Sequence, residues 1–273
     1  MKKSGSILFF LLIFVACKES GDTKTTMPRN AVKPIPVIKY ELLASFPHDS
    51  SLFTEGLLVH EGQLFESTGS PEELPQTESM IGISNLETGK FEQKIKLDRS
   101  IYFGEGICIL QDKVYQLTYQ NQEAFVYQFP SFNLAGKFKY GNKEGWGLTT
   151  DGTNLVMSDG TSQLSFIDPE TFSIVRSLQV TANGFAQNYL NELEYINGYI
   201  YANIWMTNLI VKIDPKTGFI LGQMDMSPLV SKERSKKANI DVLNGIAYDS
   251  AKDKVYVTGK LWTTVYEISF PHK

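Results

Sequence analysis

Apolar and polar positions alternate with a period of two through most of the chain, in short runs cut by Gly, Asp and Asn. The stretch from Gly147 shows this most cleanly. It reads GLTTD, a turn at Gly152, NLVMSD, a turn at Gly160, QLSFID, then Pro169 and Glu170 leading into SIVRSLQV. Runs of this length, rich in β-branched and aromatic residues, predict strands, and helix-length periodicity is nearly missing. Further turns are predicted at His60–Gly62, Gln111–Lys113 and Asn197–Gly198, and along Asp214–Gly218. There Asn, Asp and Gly tolerate the positive φ that tight hairpins demand.

One phrase returns five times: a polar or aromatic residue, Gly (once Leu), an apolar run, a turn, a second apolar run. It is TEGLLVHEGQLFESTG from Thr54, GEGICILQDKVYQLTY from Gly104, GWGLTTDGTNLVMSDG from Gly145, NELEYINGYIYANIW from Asn191 and LNGIAYDSAKDKVYVTGK from Leu243. From Gly56 to Gly106, Gly147, Leu193 and Gly245 the steps are 50, 41, 46 and 52 residues, the size of a four-stranded unit. The expected fold is all-β: a five-bladed β-propeller of four-stranded antiparallel blades. The last unit reaches VYEISF at Val265–Phe270 one strand short, while VIKYELLASF at Val37–Phe46 precedes the first. The N-terminal strand is therefore expected to pair into the last blade and close the ring.

Length and composition agree with one domain over residues 37–273, since 273 residues at 42% hydrophobic are used up by five such units. A net charge of −4 provides no field for phosphate backbones, so no nucleic-acid partner is expected. The basic cluster Lys232, Arg234, Lys236 and Lys237, interrupted by Glu233, reads as a solvated loop. At the N-terminus, Lys2 and Lys3 precede an apolar stretch, Ile7–Ala16, too short to span a bilayer. Residues 1–16 look like a bacterial lipoprotein signal peptide, with Cys17 as the lipid-bearing residue. An ordinary secretory signal cut near Ala16 would equally export the domain, to the periplasm or cell surface. Residues 17–36, with Pro28, Pro34 and Pro36, read as a flexible tether, so membrane contact is expected only through the lipid. Cys108, inside an apolar run, is expected to be a buried thiol. His48, His60 and His272 are too scattered for a Ser-His triad or a His-rich zinc site.

In a propeller the starts of the innermost strands converge on one mouth of the channel, which gathers Glu55, Glu105, Trp146, Glu192 and Asn244. The second strands return to that face and end at Gly69, Tyr119, Gly160, Trp205 and Lys260. Carboxylates, an amide, an ammonium and aromatic rings in these two columns suit a small site with an apolar wall and few polar anchors. Glu105 and Trp146 each lie between two glycines, which permit a constrained backbone and close approach. Lys260, charged and at the end of an apolar strand, is expected to pair with a channel carboxylate.

Taken together, FTEGLLVHEGQLFESTG, FGEG at Phe103–Gly106, EGWGLTTDG at Glu144–Gly152, LNELEYINGYIYANIW at Leu190–Trp205, and DVLNGIAY with VTGKLW resemble the glutaminyl-peptide cyclotransferases of the plant and bacterial type. The resemblance covers about residues 40–270, in order. It implies a five-bladed propeller with neither cofactor nor catalytic metal, an acyltransferase converting N-terminal glutamine of peptides or proteins to pyroglutamate with release of ammonia. It further implies Glu105 as general acid/base, with Phe53, Trp146, Asn191, Trp205 and Lys260 lining the substrate pocket. Two positions depart from the family pattern. Glu55 stands where FTQG is usual, and Tyr119 where Trp usually follows YQLT; both remain substrate-binding candidates. A monomer is expected. Two other readings stay open on the residues alone: a metal-dependent, lactonase-like propeller hydrolase with Glu55, Glu105, Glu192 and Asn244 gathering calcium, and a non-catalytic binding propeller.

Overall fold

The computed structural model describes residues 33–273. Cys17, the signal peptide and residues 17–32 of the tether lie outside the described residues. Five four-stranded antiparallel sheets follow one another along the chain. Blade 1 comprises Thr54–His60, Gln63–Thr68, Met80–Ser84 and Phe91–Lys96. Blade 2 comprises Gly104–Leu110, Lys113–Thr118, Glu123–Gln128 and Leu134–Lys139. Blade 3 has a short inner strand, Leu148–Thr150, then Leu155–Ser158, Gln163–Ile167 and Ile174–Gln179. Blade 4 runs Leu190–Ile196, Tyr199–Ile204, Leu209–Ile213 and Ile220–Asp225. Blade 5 takes Leu243–Asp249, Lys254–Gly259 and Thr264–Ser269 from the C-terminal region and Glu41–Pro47 as its outer strand. The first strands of neighbouring blades adjoin one another all the way round, so the ring is a closed β-propeller.

The hairpins form where the turn residues demanded them. Glu61 and Gly62 have φ of 50° and 75°, and Asn197 and Gly198 have 47° and 88°. Two successive positive φ values mark the turn whose twist matches that of the flanking strands.

The core lies between blades, as apolar faces of adjacent sheets interdigitate. At the axis the packing is backbone on backbone. A Cβ on Gly147 would lie 2.1 Å from the Asn191 carbonyl oxygen, and one on Gly106 would lie 2.4 Å from the Leu148 nitrogen. The recurring Gly of the sequence phrase is thus required by contact with the next blade.

The seam between blades 5 and 1 holds a small apolar cluster, Leu57, Leu64, Ala247, Tyr256 and Val265. Two polar devices reinforce it. The strand Glu41–Pro47 pairs with Thr264–Ser269, from Glu41 opposite Ser269 to Pro47 opposite Thr264. Just beyond it, buried His48 places Nδ1 2.9 Å from the Trp262 carbonyl and Nε2 3.1 Å from Glu66 of blade 1. Burial opposes charge on His48, yet the Glu66 carboxylate reverses that and holds the imidazole pKa above its ordinary value. Glu66 also accepts hydrogen bonds from Thr54 and Ser84, which with His48 keep its pKa low despite burial.

Two stretches differ from expectation. Docking of the N-terminal segment begins before residue 37: Ile35 packs against the core, and the Pro36 carbonyl accepts a bond from Gln223 N at 2.9 Å. The basic stretch read as a loop is largely helical, Ser227–Lys236, with Pro in its first turn, where a missing N–H costs nothing. Leu229, Val230 and Glu233 are its buried residues, too few apolar positions to register as a period. Glu233, the interruption in the basic run, is the anchor. It accepts from the Thr263 amide at 2.9 Å, from Lys236 Nζ at 2.7 Å and from the Tyr266 hydroxyl.

Because the seam depends on the N-terminal strand, deletion through Pro47 should replace the sharp unfolding transition with a broad, non-cooperative one. Urea titration followed by tryptophan fluorescence measures this.

Candidate active site

The inner strands of four blades are irregular at their starts, and this irregularity builds the site. Pairing register shifts between Thr54 and Gly56 in blade 1, between Gly104 and Ile107 in blade 2, between Leu190 and Leu193 in blade 4, and between Leu243 and Ile246 in blade 5. A bulge breaks the in-out alternation and re-aims a side chain. The bulged residues include Glu55, Glu105, Asn191, Glu192 and Asn244.

Eight sequence candidates come together on one cavity of about 480 Å³, a volume usual for small-ligand sites. Glu105, Glu55, Lys260 and Asn191 supply its polar groups. Phe53, Tyr119, Trp146 and Trp205 supply rings. Phe103, Pro71 and Glu73 also line it and were not anticipated. Phe103 had a legible signal, since it precedes the Gly-Glu-Gly of blade 2 as Phe53 precedes Thr54 and Glu55 of blade 1. Pro71 and Glu73 lie between the second and third strands of blade 1, outside the repeated phrase, and had none.

Two glycines of the second column seat the aromatic walls. A Cβ on Gly69 would fall 2.2 Å from the Phe103 ring, and one on Gly160 would fall 2.6 Å from the Trp146 indole. The rings then meet edge-on: Phe53 and Phe103 at 6.4 Å between centroids, Trp146 and Trp205 at 5.6 Å.

Charge is unevenly distributed in the cavity. Lys260 Nζ lies 2.7 Å from both oxygens of Glu55 and 4.7 Å from the centre of the Phe53 ring. Glu55 is therefore already neutralised, rather than free to receive a ligand ammonium. Burial pushes its pKa up to about 7 even against the pull of Lys260. Glu105 has no such cation in contact. It is 5% exposed, and its Oε2 has no hydrogen-bond partner. Burial first, and then the negative charge of Glu55, raise its pKa well above the ordinary carboxylate value, with Lys260 offsetting in part. The Trp146 indole N–H is occupied, donating to Glu144 at 2.9 Å. Among the described residues, the Asn191 carboxamide and the Trp205 indole N–H have no such partner.

Glu192 and Asn244, expected on the mouth, belong to the ring instead. Glu192 accepts from Leu57 N at 3.1 Å and from Ile246 N at 2.9 Å, joining blades 1, 4 and 5 at the axis. Asn244 donates to the Thr54 carbonyl at 2.9 Å. In blade 4 the bulge holds both Asn191 and Glu192, and Asn191 is the one that reaches the cavity. A calcium set of Glu55, Glu105, Glu192 and Asn244 is not assembled, because Glu192 and Glu55 spend their oxygens on backbone amides and on Lys260. Among the described residues no group of three His, Cys, Asp or Glu side chains is placed to hold a metal. Cys108 is buried, and burial raises its thiol pKa.

The sequence profile of the glutamine cyclotransferase family matches residues 11–270. This chain belongs to that family. It is 39% identical over 267 residues, 97% of this chain and 80% of the relative, to a protein of Arabidopsis thaliana named glutaminyl-peptide cyclotransferase. The crystal structure of Myxococcus xanthus glutaminyl cyclase is similar with a TM-score of 0.79 and 33% identity, covering 87% of this chain and 98% of that one. In this glutamine cyclotransferase, then, the bulges and seating glycines hold one carboxyl, Glu105, unpaired in an aromatic cavity beside a neutralised carboxylate-ammonium pair.

Lys260→Met should destabilise the fold by about 3 kcal/mol at pH 8, because it strands the buried Glu55 carboxylate. Protonating Glu55 relieves that cost, so the loss should shrink towards pH 5. Glu55→Gln combined with Lys260→Met should recover most of the stability at pH 8. Denaturant midpoints at the two pH values measure each term.

Proposed function

We propose that this protein is a glutaminyl-peptide cyclotransferase, closing the N-terminal glutamine of peptides or proteins to pyroglutamate with Glu105 as general acid/base. The observation that carries the assignment is the unpartnered, buried Glu105 carboxyl in the aromatic cavity, and the names of the similar proteins support it. The substrate supplies its own nucleophile. A free α-amine, with a reference pKa near 7.7–8.0, is partly neutral at neutral pH and lies on the same residue as the amide carbon it attacks. A new bond forms from the α-nitrogen to Cδ, the carbonyl oxygen takes up negative charge, and the Cδ–N bond then breaks. Ionised Glu105 accepts the proton released by the attacking amine and delivers it to the departing nitrogen, which leaves as ammonia. Such a shuttle contributes roughly 10²- to 10⁴-fold. Among the described residues, the Asn191 carboxamide and the Trp205 indole N–H are unpartnered cavity donors that can face the oxyanion, with Lys260 the further candidate, and the surrounding rings keep water out and the substrate folded. Lys260 fixes Glu55, so that one carboxyl of the neighbouring two is left to exchange protons.

The domain is proposed to act outside the cytoplasm as a monomer, tethered through a lipid on Cys17. The support is the charged, apolar and small-residue order of residues 1–17. Cys17→Ser in the full chain should shift the protein from the membrane pellet to the soluble fraction, as followed by immunoblotting.

Glu105→Gln should lower kcat for ammonia release from a Gln dipeptide amide by about 10²-fold or more without lowering the unfolding midpoint, since it removes a buried charge. In the native protein the base form is lost on acidification through a raised pKa. Turnover should therefore fall at a pH well above the ordinary carboxylate range, with an apparent pKa belonging to the Glu55 and Glu105 pair. A pH profile of kcat, compared with that of Glu55→Gln, checks this.

A further inference from the structure

A peptide whose first residue sits beside Glu105 must continue out of the cavity, and one groove leads away from it. This second depression, of about 540 Å³, lies between blades 1 and 2 and shares Pro71, Glu73, Phe103 and Tyr119 with the cavity wall. One side is the segment carrying Glu72 and Glu73, and the other carries Gln120 and Asn121. Both sides are fastened. Asn121 donates to the Ile101 carbonyl at 2.9 Å. Arg99 donates to four carbonyls of the facing segment, those of Pro71 at 2.7 Å, Leu74 at 3.2 Å, Pro75 at 2.6 Å and Thr77 at 2.9 Å. The groove is thus a built continuation of the site.

Its charge is also net negative. Glu72 and Glu73 are exposed, and among the described residues neither has an ion-pair partner. The cation of the groove, Arg99, keeps its charge but has its N–H groups held by backbone carbonyls, so two carboxylates outweigh one fixed guanidinium. Glu144, at the mouth, accepts from Gln120 at 3.2 Å and adds a further negative charge. Within the cavity that the groove leaves, the unpartnered Oε2 of Glu105 marks where the reacting end of the ligand belongs.

We propose that this groove receives the residues following the N-terminal glutamine, and that Glu72 and Glu73 select peptides with a basic side chain there. The inference rests on the cyclotransferase reading and adds a substrate class to it. Exposed charge pairs contribute modestly, so two carboxylates correspond to about a three- to tenfold preference. The preference weakens as salt screens the charges.

The test is kcat/KM of the full chain for Gln-Lys-amide, Gln-Ala-amide and Gln-Glu-amide, followed by ammonia release at low and high salt. The expected order is Lys above Ala above Glu, compressed by salt. In Glu72→Gln/Glu73→Gln the Lys-to-Glu ratio should fall towards one, whatever the absolute rate. Equal rates for the three peptides, or an undiminished ratio in the double variant, would overturn the groove assignment while leaving the cyclotransferase reading intact. No ammonia from any of them would overturn the cyclotransferase reading. Calorimetric binding of Gln-Lys-amide against Gln-Glu-amide, in the native protein and the double variant, would then decide the groove separately.

Discussion

The structure depends on how closely the five inner strands approach one another around the axis. Where Gly106 meets Trp146 and Leu148, and Gly147 meets Asn191, there is no space for a side chain. In four of the blades the inner strand also accommodates an extra residue in a bulge at its start. These bulges set Glu55, Glu105, Asn191, Glu192 and Asn244 out of the alternation of the sheet. Packing and chemistry are two outcomes of one backbone arrangement.

Burying several carboxyl groups near one axis is unfavourable unless each is given a specific environment, and each is treated differently. Glu192 is held by two backbone amides from neighbouring blades. Glu194 accepts from Tyr248 N at 2.7 Å, and burial still lifts its pKa to about 8. Glu55 has an ammonium, and Glu66 has an imidazole and two hydroxyls. Glu105 alone of these five has a carboxyl oxygen that is buried and unpartnered. A residue left with an unmet polar atom where its equivalents are satisfied is where proton chemistry can be done at low reorganisation cost.

Most of the fold was legible because it is repeated. Turn pairs such as Glu61-Gly62 and Asn197-Gly198 and the alternation of runs such as NLVMSD define strands locally, and the recurrence of the phrase defines the ring. The closing strand was legible by subtraction, one strand missing at one end and available at the other. The cavity was legible as far as it follows the repeat, which is why Glu105, Trp146 and Lys260, read from their columns, line it together. The repeat by itself was ambiguous where a bulge doubles a position. Asn191 and Glu192 occupy one slot of the repeat; the resemblance, not the column, pointed to Asn191, and the three-dimensional register has Asn191 facing the cavity and Glu192 clamping the blades. Glu73 was illegible for the opposite reason, since it lies in a segment with no counterpart in other blades. The helix Ser227–Lys236 was missed because Glu233, rather than an apolar stripe, secures it.

The closing strand also orders events in time. Glu41 pairs with Ser269, so the first blade-forming residues of the described domain wait for almost the last ones. Blades 1 to 4 are each contiguous and can form as they emerge from synthesis, whereas the fifth needs both ends of the chain. Contacts of such long sequence separation form slowly, because loop-closure entropy is lost before they add stability. Until the C-terminal strands exist, the nascent chain holds an open arc with two unpaired edges, and the aromatic cavity at its centre is incomplete. Competence for chemistry is therefore acquired all at once, at the end.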